Sequence, residues 1–355
     1  MSHIAAVAPV VPPNRYDQAT ITAAFGELVL PDPSDRRVLE RLHEATGVRT
    51  RHLALPLEDY PALDGFGAAN DVFIRVGTDL GHQAVAKALA AAGLEARDVD
   101  LIMVSSVTGI AAPSLDARLV PLLGLRTDVR RVPIFGLGCV AGAAGIARVH
   151  DYLRGDPDGV AVMLTVELCS LTVQRSDGSM PNLVASGLFG DGAAAVVMVG
   201  ERRAAALGLD RAPQVVQTRS RFYPDTERVM GWDVGGSGFR IVLAASVADV
   251  VEENLGEDVR GFLEDNDLKT AEIARWIAHP GGPKVLHAMQ RALAVPEGAF
   301  DLTWASLAEV GNLSSASVLH VLAATLEQPP PDPGSHGVLM AMGPGFCAEL
   351  VLLRW

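Results

Sequence analysis

Aromatic side chains are scarce: Phe, Trp and Tyr together make up 5% of the 355 residues. The interior must therefore be built from aliphatic and small side chains, and a hydrophobic content of 49% supplies them. Cysteine is scarcer still. Cys139, Cys169 and Cys347 are too few and too scattered for a disulfide framework or a zinc site, and they fit a reducing, cytoplasmic setting. Basic residues are outnumbered, 29 Lys and Arg against 42 Asp and Glu, which leaves a net charge of −13. That balance argues against general nucleic-acid binding. It also means that an anionic ligand has to be held by a local basic patch. No apolar run is long enough to span a bilayer, so no integral membrane segment is expected. Met1-Ser2-His3-Ile4 opens no basic and then apolar leader, and no signal peptide is expected.

What the chain does have is glycine, 35 residues of it, and one stretch uses it to a purpose. Arg131-Val132-Pro133-Ile134 reads as a short apolar strand, central to the fold. It turns on Gly136 and Gly138 and enters a helix of very small residues, Val140 to Gly145, with Cys139 at its tip. A helix N-terminus carries about half a positive charge, which favours thiolate over thiol. Glycine inside a helix costs about 1 kcal/mol relative to alanine. A helix that accepts Gly142 and Gly145 is expected to have other backbone packed tightly against it. Two other readings stand beside a reactive thiol. A lone buried Cys is often only a small apolar residue, and Gly136-x-Gly138-x-x-Ala141 also fits a dinucleotide-binding turn.

Along the chain, apolar strands alternate with amphipathic helices. Pro31 to Asp35 should cap a helix bearing Arg36, Arg37 and Arg41, and with Arg49 and Arg51 these form the densest positive cluster, either a solvated face or a seat for phosphates. Strands are expected over 100–106, 160–166, 191–199, 273–278, 338–342 and 346–353. Helices are expected over 70–92, 115–123, 239–255, 283–293 and 314–326. The alternation makes the chain an α/β layered fold with a largely parallel interior sheet. The plan of strand, glycine turn and helix recurs after Glu201-Arg202-Arg203. Two similar halves follow, 1–203 carrying Cys139 and 204–355 carrying the polar residues of the second half.

Those residues are His279, at a strand end before Pro280-Gly281-Gly282, and Asn312, after Gly311. Each alone reads as structural. Together with Cys139 they supply what a decarboxylating acyl transfer needs: a nucleophile with an imidazole partner, and neutral donors aimed at a thioester oxygen as it becomes an enolate.

Four ordered blocks, Phe135-Gly136-Leu137-Gly138-Cys139-Val140-Ala141-Gly142, Leu188-Phe189-Gly190-Asp191-Gly192, Trp276-Ile277-Ala278-His279-Pro280-Gly281-Gly282-Pro283 and Gly311-Asn312-Leu313-Ser314-Ser315, resemble those of type III polyketide synthases, the chalcone synthase family. The resemblance implies a thiolase-like fold of two pseudo-duplicated halves in α-β-α-β-α layers, and a homodimer. It implies iterative decarboxylative condensation of malonyl-CoA onto a Cys139-bound acyl group, with His279 and Asn312 as partners. Coenzyme A thioesters are then the substrates and no cofactor or metal is required. By the same resemblance Phe189 and Phe239 pair at the cavity entrance, Arg41 contacts the coenzyme A phosphates, and Cys169, Thr172, Trp232, Ala112 and Ser314 bear on the cavity. Val38 and Ala45 replace two basic positions of the coenzyme A site, and Arg36, Arg37 or Lys284 are the available substitutes. The stretches 167–175 and 223–233 look most like bacterial alkylresorcinol and alkylpyrone synthases. They imply a medium- or long-chain acyl-CoA starter, extension with malonyl-CoA or methylmalonyl-CoA, and a resorcinol or pyrone product. A single-condensation ketoacyl synthase III and a nucleotide-binding protein using the Gly136 turn are the competing readings. A thiolase is disfavoured, because Cys347 lacks the sequence context of a second catalytic cysteine.

Overall fold

The computed structural model describes every residue except 31, 33 to 35 and 176. Its strands in chain order are β1 Ser2–Val10, β2 Asn14–Asp17, β3 Thr50–Leu53, β4 Leu101–Ser105, β5 Arg130–Ile134, β6 Val160–Leu168, β7 Asp191–Gly200, β8 Gln214–Phe222, β9 Met230–Gly235, β10 Gly238–Leu243, β11 Ile273–Ala278, β12 His336–Gly343 and β13 Cys347–Arg354. Nine of them form one sheet in the order β11-β12-β13-β8-β1-β7-β6-β4-β5. Its two halves meet where Ser2 and His3 of β1 pair with Val215 and Gln214 of β8.

Side-chain alternation along the strands makes the layers. In β4, Ile102 and Val104 face an outer core shared with helix Gly65–Ala91, while Leu101 and Met103 face the centre. In β12, Leu339 and Ala341 face the same centre, and Val338 and Met340 face a second outer core under helices Val247–Glu264 and Pro283–Leu293. Helices Ala141–Gly155 and Ser317–Leu326 fill the central layer, with Ile146, Val149, Val318 and Leu322 among its buried residues. The expected five layers, helix, sheet, helix, sheet, helix, are thus in place, and the fold is thiolase-like. No helix of the described residues is long and apolar enough to cross a membrane.

Three expectations are corrected. Arg131–Ile134 belongs to an edge strand: among the described residues β5 pairs only with β4, and it is largely exposed. Residues 239–255 are not one helix. Phe239 and Ile241 pair with Val234 and Trp232 across the β9–β10 hairpin, and the helix begins at Val247. β-Branched and aromatic residues around Gly235-Gly236-Ser237-Gly238 favour that hairpin. Mixed sheet also replaces a largely parallel one, since β1, β7, β8 and β13 pair antiparallel. The expected boundary at 203 falls inside helix Glu201–Leu207. Apart from Asp32, the expected cap over 31–35 lies outside the described residues.

Candidate active site

Cys139 lies in a short 3-10 turn, Gly138–Val140, immediately before helix Ala141–Gly155. Gly138 has a positive φ of 54°, and a Cβ there would lie 2.7 Å from Pro344. At Gly138 the turn is therefore closed by Pro344 of the second half, which leaves a dinucleotide's pyrophosphate no close approach to that glycine. The expected close approach to the glycine-bearing helix is present. A Cβ on Gly142 would lie 2.5 Å from the Ser315 carbonyl oxygen, and one on Gly145 2.3 Å from the Met163 side chain.

This packing brings together what the sequence keeps far apart. Cys139, His279, Asn312 and Phe189 border one small cavity of about 30 Å³, walled by Met230, Leu243, Val247, Val251, Met342 and Phe346. His279 enters it from the end of β11, where its backbone N–H donates to the Met340 carbonyl at 3.0 Å. Its Nδ1 is buried without a hydrogen-bond partner among the described residues. Asn312 is bridged to Phe189: its N–H donates to Leu188 O at 2.9 Å, and its carbonyl accepts from the Gly190 N–H at 3.0 Å. Its side-chain Oδ1 accepts from the Ser314 N–H at 2.8 Å and from the Ser317 hydroxyl at 3.4 Å. The amide orientation is thereby fixed, and Nδ2 is the atom left to donate. The Cys139 thiol points to the Ser314 hydroxyl, 3.7 Å away, and Ser314 takes a positive φ of 49° to present it.

The electrostatics correct the thiolate expectation. Burial pushes the Cys139 thiol up to about 12, with the Ser314 hydrogen bond opposing and the Glu167 charge adding to the rise. Burial also pushes His279 down to about 3. Desolvation outweighs the field of the helix start, so each group taken alone is neutral.

The remaining candidates are spread over neighbouring space. Phe239 does not stack on Phe189. Its ring lies 5.3 Å from Phe66, 6.1 Å from Phe135 and 6.0 Å from Trp232, centroid to centroid. Trp232 borders a second cavity of about 250 Å³ with Val107 and Phe135, and Met230 is common to this cavity and the one at Cys139. Phe239 borders a third, of about 190 Å³. Cys169 and Thr172 are buried, and the Thr172 hydroxyl bonds back to the Cys169 carbonyl at 2.7 Å. Neither borders the Cys139 cavity, because the 3-10 segment Cys169–Thr172 folds them inward. Ala112 and Arg41 are exposed and border none of these cavities. The basic cluster loses Arg51, which is fully buried. Its Nε donates to Gln18 Oε1 at 3.0 Å and its Nη1 to the Phe189 carbonyl at 2.7 Å, so it faces inward while Arg36, Arg37, Arg41 and Arg49 stay at the surface.

Sequence reading missed one neighbour of the site. Glu167, fully buried, accepts from Val107 N–H at 3.1 Å and from the Thr108 hydroxyl at 3.0 Å, and contacts the Ser315 hydroxyl at 2.5 Å. Burial raises its carboxyl above the usual range. The available signal was a single acid at the end of an otherwise apolar strand.

Two family models account for most of the chain: the N-terminal domain of chalcone and stilbene synthases over residues 1–202, and their C-terminal domain over 214–355. The chain is 57% identical to a 1,3,6,8-tetrahydroxynaphthalene synthase of Streptomyces peucetius subsp. caesius, covering 99% of this chain and 93% of that protein. A protein of the same name from Streptomyces coelicolor is 36% identical, with 89% and 82% covered. Among solved structures, the 1,3,6,8-tetrahydroxynaphthalene synthase of Streptomyces coelicolor A3(2), described as a bacterial type III polyketide synthase, superposes with a TM-score of 0.92 at 32% identity over 99% of both chains.

Proposed function

This chain belongs to the chalcone and stilbene synthase family of type III polyketide synthases, acyltransferases that work on coenzyme A thioesters, and we propose that it primes with malonyl-CoA as well as extending with it, to make a polyhydroxylated naphthalene. The observation that carries this reading is the 57% identity, over nearly the whole chain, to a synthase named for that product. Tetrahydroxynaphthalene is an unbranched bicycle with oxygen on alternate carbons, which is what two-carbon units joined without reduction give. No alkyl substituent reports a fatty starter. The small space at Cys139 suits a short starter, and a growing chain would pass Met230 into the larger cavity beyond it.

The proposed chemistry follows from the side chains. Cys139 passes its proton to His279 and attacks the thioester carbonyl, and coenzyme A leaves as a thiol. Malonyl-CoA then binds with its thioester oxygen toward Asn312 Nδ2 and the His279 imidazole. As CO₂ departs, its bonding electrons form the enolate, which those donors stabilise. The enolate carbon attacks the Cys139 thioester, the sulfur is released, and the lengthened chain returns to it. Nothing is oxidised or reduced, so we propose that no cofactor takes part. Arg41, with Arg37 exposed on the same helix, is proposed to meet the coenzyme A phosphates, while Arg36 is half-buried and donates to the Leu30 carbonyl. The open edge of β5, with exposed Val132 and Phe135, supports a homodimer in which Ala112 also lies toward the partner.

A fatty acyl starter leading to an alkylresorcinol or alkylpyrone is the second reading. The cavity of about 190 Å³ beyond Phe239 supports it, since Phe25, Leu28, Leu63, Phe66, Leu171 and Val173 on its wall would accept an alkyl tail. Purified protein given malonyl-CoA alone, then with acyl-CoA starters of increasing length, separates the two by liquid chromatography and mass spectrometry. A hydroxynaphthalene from malonyl-CoA alone is the expected result. Products formed only with a long-chain starter would transfer the assignment to the second reading. A single condensation that requires acyl carrier protein would overturn both.

A further inference from the structure

We propose that Arg51 is a positioning residue of the active site, its buried guanidinium fixing the backbone that carries both Phe189 and Asn312. The inference rests on the role proposed for Asn312 above. A fully buried arginine is a costly group whose neighbours must answer its charge and its five donors. Here the answer comes from the backbone of the site. Nη1 donates to the Phe189 carbonyl at 2.7 Å. Nε donates to Gln18 Oε1 at 3.0 Å, and Gln18 in turn donates through Nε2 to the Gly187 carbonyl at 2.7 Å. Phe189 is itself bridged to Asn312. The aliphatic stem closes the other side. A Cβ on Gly311 would lie 3.2 Å from both Cγ and Cδ of Arg51 and 2.8 Å from the Leu188 carbonyl oxygen.

The side chain thus spans the end of helix Met180–Leu188, the peptide of Phe189 and the Gly311-Asn312 turn. Asp191, two residues past Phe189, supplies the nearby negative charge, while its own oxygens accept from the Ala54 N–H at 2.6 Å and the Ser170 N–H at 2.8 Å. Nη2 has no hydrogen-bond partner among the described residues. Arg51 does not border the cavity at Cys139, so it touches no substrate there and acts only by where it holds Phe189 and Asn312.

The test compares two readouts in Arg51→Met, Arg51→Lys and Asn312→Ala. One is malonyl-CoA decarboxylation, which needs a well-placed Asn312. The other is alkylation of Cys139 by iodoacetamide, which does not. Arg51→Met is expected to lower the decarboxylation kcat by about tenfold or more, with KM and the alkylation rate within about twofold of the parent. Arg51→Lys, which keeps a donor for the Phe189 carbonyl, should fall between the two. Should Arg51→Met fail to fold, Gln18→Leu removes the acceptor that orients the guanidinium and should give the same kcat loss in weaker form. Decarboxylation and alkylation falling together would make Arg51 a residue of the fold alone and overturn the proposal. So would an unchanged kcat in Arg51→Met, or in Gln18→Leu if that variant stands in for it, when Asn312→Ala is inactive. If Asn312→Ala decarboxylates normally, the role of Asn312 falls first, and the proposal falls with it.

Discussion

A thiol and an imidazole in one buried cavity can become charged together at far lower cost than either can alone, because each ion then answers the other. Burial holds Cys139 up to about 12 and His279 down to about 3, so the thiol needs the imidazole as proton acceptor to react near neutrality. His279→Ala is therefore expected to slow iodoacetamide alkylation of Cys139 at pH 7 by about tenfold or more, and to leave a rate that still climbs with pH through 9. An unchanged rate at pH 7 would remove His279 from thiol activation. The three residues of this site were legible because each is a polar group at a turn or helix start within apolar surroundings. Arg51 was not. In Thr50-Arg51-His52-Leu53 the alternation reads the same whether Arg51 faces solvent or protein. What buries it is Gln18 on one side and Phe189 on the other, far away in the chain.

Among the elements, the helix behind Cys139 was read correctly from its glycines, and it offers a controlled comparison. A methyl group on Gly142 would meet the Ser315 carbonyl, whereas one on Gly155, at the far end of the same helix, meets nothing within 4 Å. Gly142→Ala is expected to destabilise the protein by about 1–3 kcal/mol through overpacking. Gly155→Ala is expected to be neutral or to stabilise by up to about 1 kcal/mol through helix propensity. Denaturant unfolding midpoints measure both, and equal effects would argue against the tight contact. The β9–β10 hairpin was read less well. Its apolar residues are continuous with those of the following helix, and periodicity alone did not separate Phe239-Arg240-Ile241-Val242-Leu243 from a helical start. The glycines at 235, 236 and 238 were the local cue.

For the molecule as a whole, buried neutral histidines set an acid limit. His43 is wedged between the Thr22 hydroxyl, 2.8 Å from Nδ1, and the Ser186 hydroxyl, 3.1 Å from Nε2, and burial, reinforced by the Arg51 charge, lowers it to about 3. His279 is lowered to about 3 by burial alone. An unfolded chain takes up these protons near pH 6.5, so the stability they contribute is present above that pH and lost as the pH falls toward 3, at about 1.4 kcal/mol per pH unit for each group. Asp191, raised to about 6 by burial, runs the other way: its contribution is present below pH 3.8 and lost as the pH rises through 6. The two histidines outweigh it between pH 6 and 4, and Tm is expected to fall steadily over that interval. A flat Tm there would mean that the imidazoles are not held neutral. The layered plan was legible from the alternation of strands and helices. The seam between the two halves was not, since it depends on which glycine meets which carbonyl across the centre. That seam has a hereditary consequence. The nucleophile comes from one half and its partners from the other, and the segments that follow Cys139 and Asn312 touch at Gly142 with no room to spare. A change admitted on one side has to be answered on the other. The two halves, however alike in plan, can no longer vary independently, and a half exchanged with that of a relative would arrive shaped for a different neighbour.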